Sequence, residues 1–195
     1  MRNLVILSIF LLAGCKAIDY NRELTQVTNC PSQLTLGSEN RISFDKKLSL
    51  EIGGKNKRCF VNSKNQKHFY NIISVPGNAN YLVVNAYQNV GMNNSSFFKP
   101  QLLINSDNGS LTELAPIGEL KSSKFIAVRY YTYYYDLRDV RSREVIITAD
   151  PNSIGKNIAF EYLNSHDYVT VHTANIPLSA GGVVEVQAAL KLKDK

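Results

Sequence analysis

Apolar residues recur on alternate positions over short stretches, and turn-forming residues close each stretch before it reaches helical length. Ile42, Phe44, Leu48, Leu50 and Ile52 all occupy even positions, which on a strand places them on one face, and Gly53-Gly54 ends the run. Further β-rich runs cover 60–61, 69–75, 81–87, 101–105, 125–135, 144–148, 168–172 and 183–192. Pro76-Gly77-Asn78 closes the second of these, and Asp107-Asn108-Gly109 follows the run at 101–105 as a tight-turn signal. Many short strands with few helical periods predict a mainly β chain, folded as an antiparallel β-sandwich of jelly-roll type with at most one or two short helices. One helix is expected after Asp150-Pro151, an N-cap followed by an N1 proline, because Ile154, Ile158 and Tyr162 recur every four residues; 158–163 also reads as a strand.

The N-terminus partitions the chain. Arg2 precedes an apolar run at 4–13, and Leu12-Ala13-Gly14-Cys15 closes it, with small residues where a signal peptidase must fit the chain. This pattern predicts a lipoprotein signal over 1–14, a lipidated Cys15, a polar tether over 15–32 and a single sandwich domain over 33–195. A spanning helix needs about 20 apolar residues, more than this run offers, so the membrane partner is reached through an N-terminal lipid anchor. Lys16 stands where an inner-membrane retention signal would place Asp, which points to the periplasmic face of a bacterial outer membrane.

The formal charge of +6 is dispersed, its densest groups being Lys46-Lys47, Lys55-Asn56-Lys57-Arg58 and 191–195. Such groups in turns and a tail describe a solvated surface that can attract anionic headgroups, and an exported chain has no nucleic-acid partner to meet. In an oxidising compartment Cys30 and Cys59 form a natural disulfide pair, the other readings being two free thiols or part of a metal site.

Aromatic residues crowd one place, Tyr130-Tyr131-Thr132-Tyr133-Tyr134-Tyr135, in a chain without Trp. Alternation sets Tyr131, Tyr133 and Tyr135 on one face, where an exposed row could stack on sugar rings; Tyr is also a strong strand former and cross-strand partner. His68, His166 and His172 accompany no HExxH, CxxC or GxSxG motif, so neither a metal ligand set nor a cofactor is expected, and a hydrolase using His166, His172 and an Asp is the weakest of the functional classes.

Several segments, taken in order over roughly 40–190, resemble the maltose operon periplasmic protein family. Phe98-Lys99-Pro100-Gln101-Leu102-Leu103-Ile104-Asn105-Ser106-Asp107 is similar to that family's aromatic, proline and apolar strand ending in an acidic turn. The run at 125–132 with Asp136-Leu137, then Asp150-Pro151, then His172-Thr173 with Gly182-Val183-Val184, follow in the family's order. The tyrosine cluster and the cysteine pair depart from it. The resemblance implies a non-enzymatic, periplasm-facing lipoprotein, an accessory or maltodextrin-binding component of carbohydrate uptake, with no catalytic residues to carry over. The alternative is a structural or assembly lipoprotein that docks on an envelope protein complex.

Overall fold

The structure is a computed structural model and describes residues 18–37, 40–55, 58–90, 95–106, 109–122, 130–163 and 171–192. Within them lie one helix, α1 (Tyr20–Gln26), and the strands β1 (Asn40–Arg41), β2 (Leu48–Ile52), β3 (Cys59–Val61), β4 (Lys67–Ser74), β5 (Tyr81–Asn89), β6 (Ser96–Phe98) and β7 (Pro100–Asn105). The chain continues through β8 (Leu111–Leu114), β9 (Gly118–Ser122), β10 (Tyr130–Asp136), β11 (Glu144–Ala149), β12 (Asn157–Leu163), β13 (Val171–Ser179) and β14 (Gly182–Ala189). No described helix is long and apolar enough to cross a membrane.

Two sheets face each other as a β-sandwich. The first runs β1-β4-β11-β7-β8, with β3 beside the start of β4; the second runs β12-β13-β6-β5-β10-β9, with β14 joining β5 to β2. Pairing is antiparallel except at two junctions, β1 with β4 and β13 with β6, so the sheets are mixed where antiparallel order was expected. Alternation does the sorting between faces. In β14, Val184, Val186 and Ala188 point into the core while Val183 stays exposed, and they share one buried cluster with Phe69 and Ile73 of β4, Leu102 of β7 and Val145 and Ile147 of β11.

β4 breaks the simple rule, since all of its interior positions are buried. Its outer residues Tyr70 and Ile72 form a second cluster with Phe60 and Ile146, against which Leu34 and Leu103 pack. A strand covered on both faces loses the polar half of its pattern.

The expected helix after Asp150-Pro151 is absent. Residues 151–155 form a turn and β12 follows, in register with β13 from Asn157↔Pro177 to Leu163↔Val171. Asp150 Oδ1 accepts the Asn152 N–H at 2.9 Å, the proline-aspartate cap serving a turn instead.

The expected tether is a second correction. Its described part, 18–32, is packed on the domain. Asp19 caps α1 by accepting the Arg22 N–H at 3.1 Å, and Tyr20 is 3% exposed. Tyr20 sits where glycines leave space: a Cβ at Gly53, whose φ is +85°, would come within 2.8 Å of Phe69 and 2.9 Å of Tyr20, and one at Gly181 within 2.8 Å of Tyr20. Its hydroxyl donates to Glu51 Oε1 at 3.1 Å, while Asn21 Oδ1 accepts the Ala180 N–H at 2.7 Å. Beyond α1, the Cys30–Cys59 disulfide fixes the segment to β3, with Cα atoms 5.1 Å apart. The Pro31 carbonyl accepts the Val61 N–H at 2.9 Å, and the Val27 carbonyl accepts from Lys67 Nζ at 2.7 Å.

Candidate functional site

The outer face of the first sheet carries an open groove of about 750 Å³. Outward residues of three strands make its floor: Phe60 of β3, His68 of β4, and Gln101, Leu103 and Asn105 of β7. Leu111 and Glu113 of β8 form one side. The disulfide-held segment from Ser32 to Leu36, together with the Asn62–Gln66 turn, forms the other. Its length follows from register. Tyr70 pairs with Thr148, and Thr148 with Gln101, so β4 and β7 run in the same direction; His68 lies two residues behind that row and Asn105 four ahead. Six steps at ~3.3 Å give a groove of about 20 Å along the strands.

At one end the polar groups are fixed by one another. Asn62 Oδ1 accepts the backbone N–H groups of Lys64 at 3.0 Å and Gln66 at 2.9 Å. That orients the amide nitrogen, Nδ2, to donate to Gln66 Oε1 at 2.9 Å and to His68 Nε2 at 3.0 Å. An accepting Nε2 assigns the ring proton to Nδ1 in the neutral imidazole. Nδ1 makes no hydrogen bond of good geometry, yet the Ala149 carbonyl lies close enough to favour a charged ring. Burial opposes that charge more strongly, and the His68 pKa falls below its usual value of 6.5. The ring is 4% exposed and stacks on Phe60, centroids 4.9 Å apart.

Midway, Gln101 Nε2 donates to Glu113 Oε2 at 2.9 Å, and at the far end Asn105 Oδ1 is buried with no hydrogen-bond partner among the described residues. Gln33 and Asn152 add two more amides to the lining, and Lys64 adds a cation. The groove thus combines neutral donors and acceptors with leucine surface, a lining able to grip an extended neutral ligand rich in hydroxyl or amide groups.

The tyrosine row is placed elsewhere. Tyr131, Tyr133 and Tyr135 are 1%, 2% and 1% exposed, inside the sandwich, which corrects the reading of them as an exposed stacking face. β10 is paired on both sides, with β5 and β9, and its odd-numbered face turns toward the core. Tyr131 meets Phe97 edge-on at 5.0 Å, and burial raises its hydroxyl pKa to about 12, helped by the nearby Glu119 carboxylate. Tyr133 does line a smaller cavity of about 330 Å³ with Lys99, Glu119, Asp150 and Lys156. Burial, ahead of Glu119, raises the pKa of Tyr133 as well, so its hydroxyl stays protonated there.

Of the other expected residues, Cys30 and Cys59 are joined as a disulfide. Cys15 and His166 lie outside the described residues, and only the backbone of His172 is described, in β13. Among the described residues no group of three or more His, Cys, Asp or Glu side chains could hold a metal ion. The groove was missed in the sequence because its residues come from five separated segments. The one local trace was Gln101, Leu103 and Asn105 on the odd positions of a run whose even positions, Leu102 and Ile104, serve the core.

No family model matches the chain, and no curated protein or solved structure shows a significant similarity to it.

Proposed function

We propose that this chain is a non-enzymatic lipoprotein, held at the periplasmic face of a bacterial outer membrane through Cys15, whose sandwich binds maltodextrin in the groove of the first sheet as an accessory of its uptake. The lipobox and the resemblance to the maltose operon periplasmic protein family support the compartment and the context. One observation carries the binding half: the groove, about 20 Å long, offers the amides of Gln33, Gln66, Gln101, Asn105 and Asn152 beside the apolar surface of Leu34, Phe60 and Leu103. A glucan is neutral, extended and edged with hydroxyl groups that both donate and accept, and amides answer both roles. Asn62, whose own amide is fully satisfied within the turn, holds Gln66 in place, which lowers the ordering cost of a contact between Gln66 and the ligand.

Calorimetry of the mature chain carrying Cys15→Ser, titrated with maltose through maltoheptaose, tests this. Heat should grow with chain length, and Gln101→Ala or Gln66→Ala should weaken affinity by about tenfold, a lost hydrogen-bonding partner being worth roughly 1–2 kcal/mol. No heat at millimolar sugar removes the ligand half of the proposal.

A second reading, docking on an envelope protein complex, rests on the groove's edge. Among the described residues β8 pairs with β7 alone, its Leu111 is 40% exposed, and Leu36 across the groove is 45% exposed. An unpaired strand edge that carries an exposed leucine can accept a partner strand. Photocrosslinking from Leu111 in cells separates the readings: a discrete protein adduct that ignores maltodextrin favours docking.

A further inference from the structure

Resting on the lipoprotein reading, we infer that the domain lies directly against the bilayer, with the β5–β6 end around Val90 at the lipid headgroups, and does not hang from a flexible tether. Chain length is the reason. Only two residues separate Cys15 from Ile18, whose carbonyl accepts a hydrogen bond from Asn89 Nδ2 at 2.7 Å. Immediately after it, Asp19 caps α1 and Tyr20 is buried against Gly53 and Gly181. Three residue steps span at most about 11 Å when fully extended.

A diacylglyceryl group on the Cys15 sulfur places its glycerol in the polar layer of the bilayer, which is about 5–7 Å deep on each side of the hydrocarbon. Ile18 and the Asn89 that holds it therefore stand at the outer edge of that layer. Val90 follows Asn89 at the end of β5 and is 61% exposed, the most exposed of the large apolar side chains described. The occupant of this face is thus the lipid surface that holds the protein's own acyl chains.

The opposite end of the molecule supplies the control. Asn78 is exposed in the turn before β5, and the nine residues of β5, Tyr81–Asn89, set it more than about 26 Å from Val90. The full mature lipidated chain, carrying Val90→Cys or Asn78→Cys labelled with a fluorophore, is reconstituted into phosphatidylethanolamine–phosphatidylglycerol vesicles containing a headgroup-nitroxide lipid. Quenching should be several-fold stronger at 90 than at 78. A flexible Gly-Ser insertion between Lys16 and Ala17 should reduce it at 90 while the protein stays on the vesicles. Equal quenching at the two positions, or none at 90, overturns the inference. Mass spectrometry of the N-terminal peptide tells which idea failed: acylated Cys15 without quenching removes only the headgroup placement, and an unacylated Cys15 removes the lipoprotein reading with it.

Discussion

His68 shows how one side chain ties the groove to the stability of the sheet. In the fold it is neutral, holding Asn62 through Nε2, and burial keeps its pKa below the usual 6.5. The unfolded chain takes up this proton more readily than the folded one. The stabilisation from a neutral His68 is therefore complete above about pH 6.5 and is lost as pH falls from there toward the lowered folded value. Urea midpoints measured at pH 7.5 and 5 should differ in the native chain and differ less in His68→Gln, which can still accept from Asn62. An unchanged pH dependence in the variant would assign the effect to other groups. Tyr20 makes the companion case against the second sheet, where it reaches Glu51 of β2. Emptying a buried aromatic site costs ~3–5 kcal/mol, so Tyr20→Ala should be strongly destabilising. Tyr20→Phe, losing only the bond to the Glu51 carboxylate, should cost about 1–2 kcal/mol by denaturant melts.

At the scale of elements, the segment from α1 to Leu36 has no strand ladder of its own and depends on tie points, of which Cys30–Cys59 is the covalent one. Cross-linking residues 29 apart constrains the unfolded chain by roughly 3–4 kcal/mol, and replacing both cysteines by serine should lower stability by up to that amount. Because Ser32–Leu36 walls the groove, the same variant should exchange its backbone amides at 32–36 faster than those of β7. Equal protection of 32–36 in the native chain and the variant would show that Leu34 packing suffices. Elements such as β2, β5 and β14 were legible in the sequence because one face is core and the other solvent, so alternation survives. α1 was not: seven residues with a single buried side chain carry too little apolar period to register, and Tyr20 acquires its site only from Gly53 and Gly181, distant in sequence. The tyrosine strand was legible as a strand and ambiguous in its facing, because β10 lies between two partners and Tyr suits either side of such a sheet. The Asp150-Pro151 signal is one that turns and helices share, and pairing with β13 decided between them.

For the whole molecule, anchorage and fold should separate cleanly. Among the described residues, the contacts that seat the N-terminal segment, from the Ile18 carbonyl through Tyr20 to Cys30, need no lipid. Two or three acyl chains, at about 0.8 kcal/mol per buried CH₂, far outweigh the attraction that a single exposed Val90 and a few dispersed lysines exert on a membrane. Cys15→Ser should therefore move the protein from the membrane to the soluble fraction while its thermal midpoint and the Cys30–Cys59 bond stay unchanged. Membrane fractionation that ignores the substitution would refute lipid anchorage, and a large drop in thermal midpoint would show that the anchor also holds the fold. The proposed sugar binding would add an independent check on this division, since the groove lies on the outer face of the first sheet, and its lining begins only at Ser32, beyond the disulfide. The released protein should keep the affinity of the lipidated one, measured side by side in solution and on vesicles.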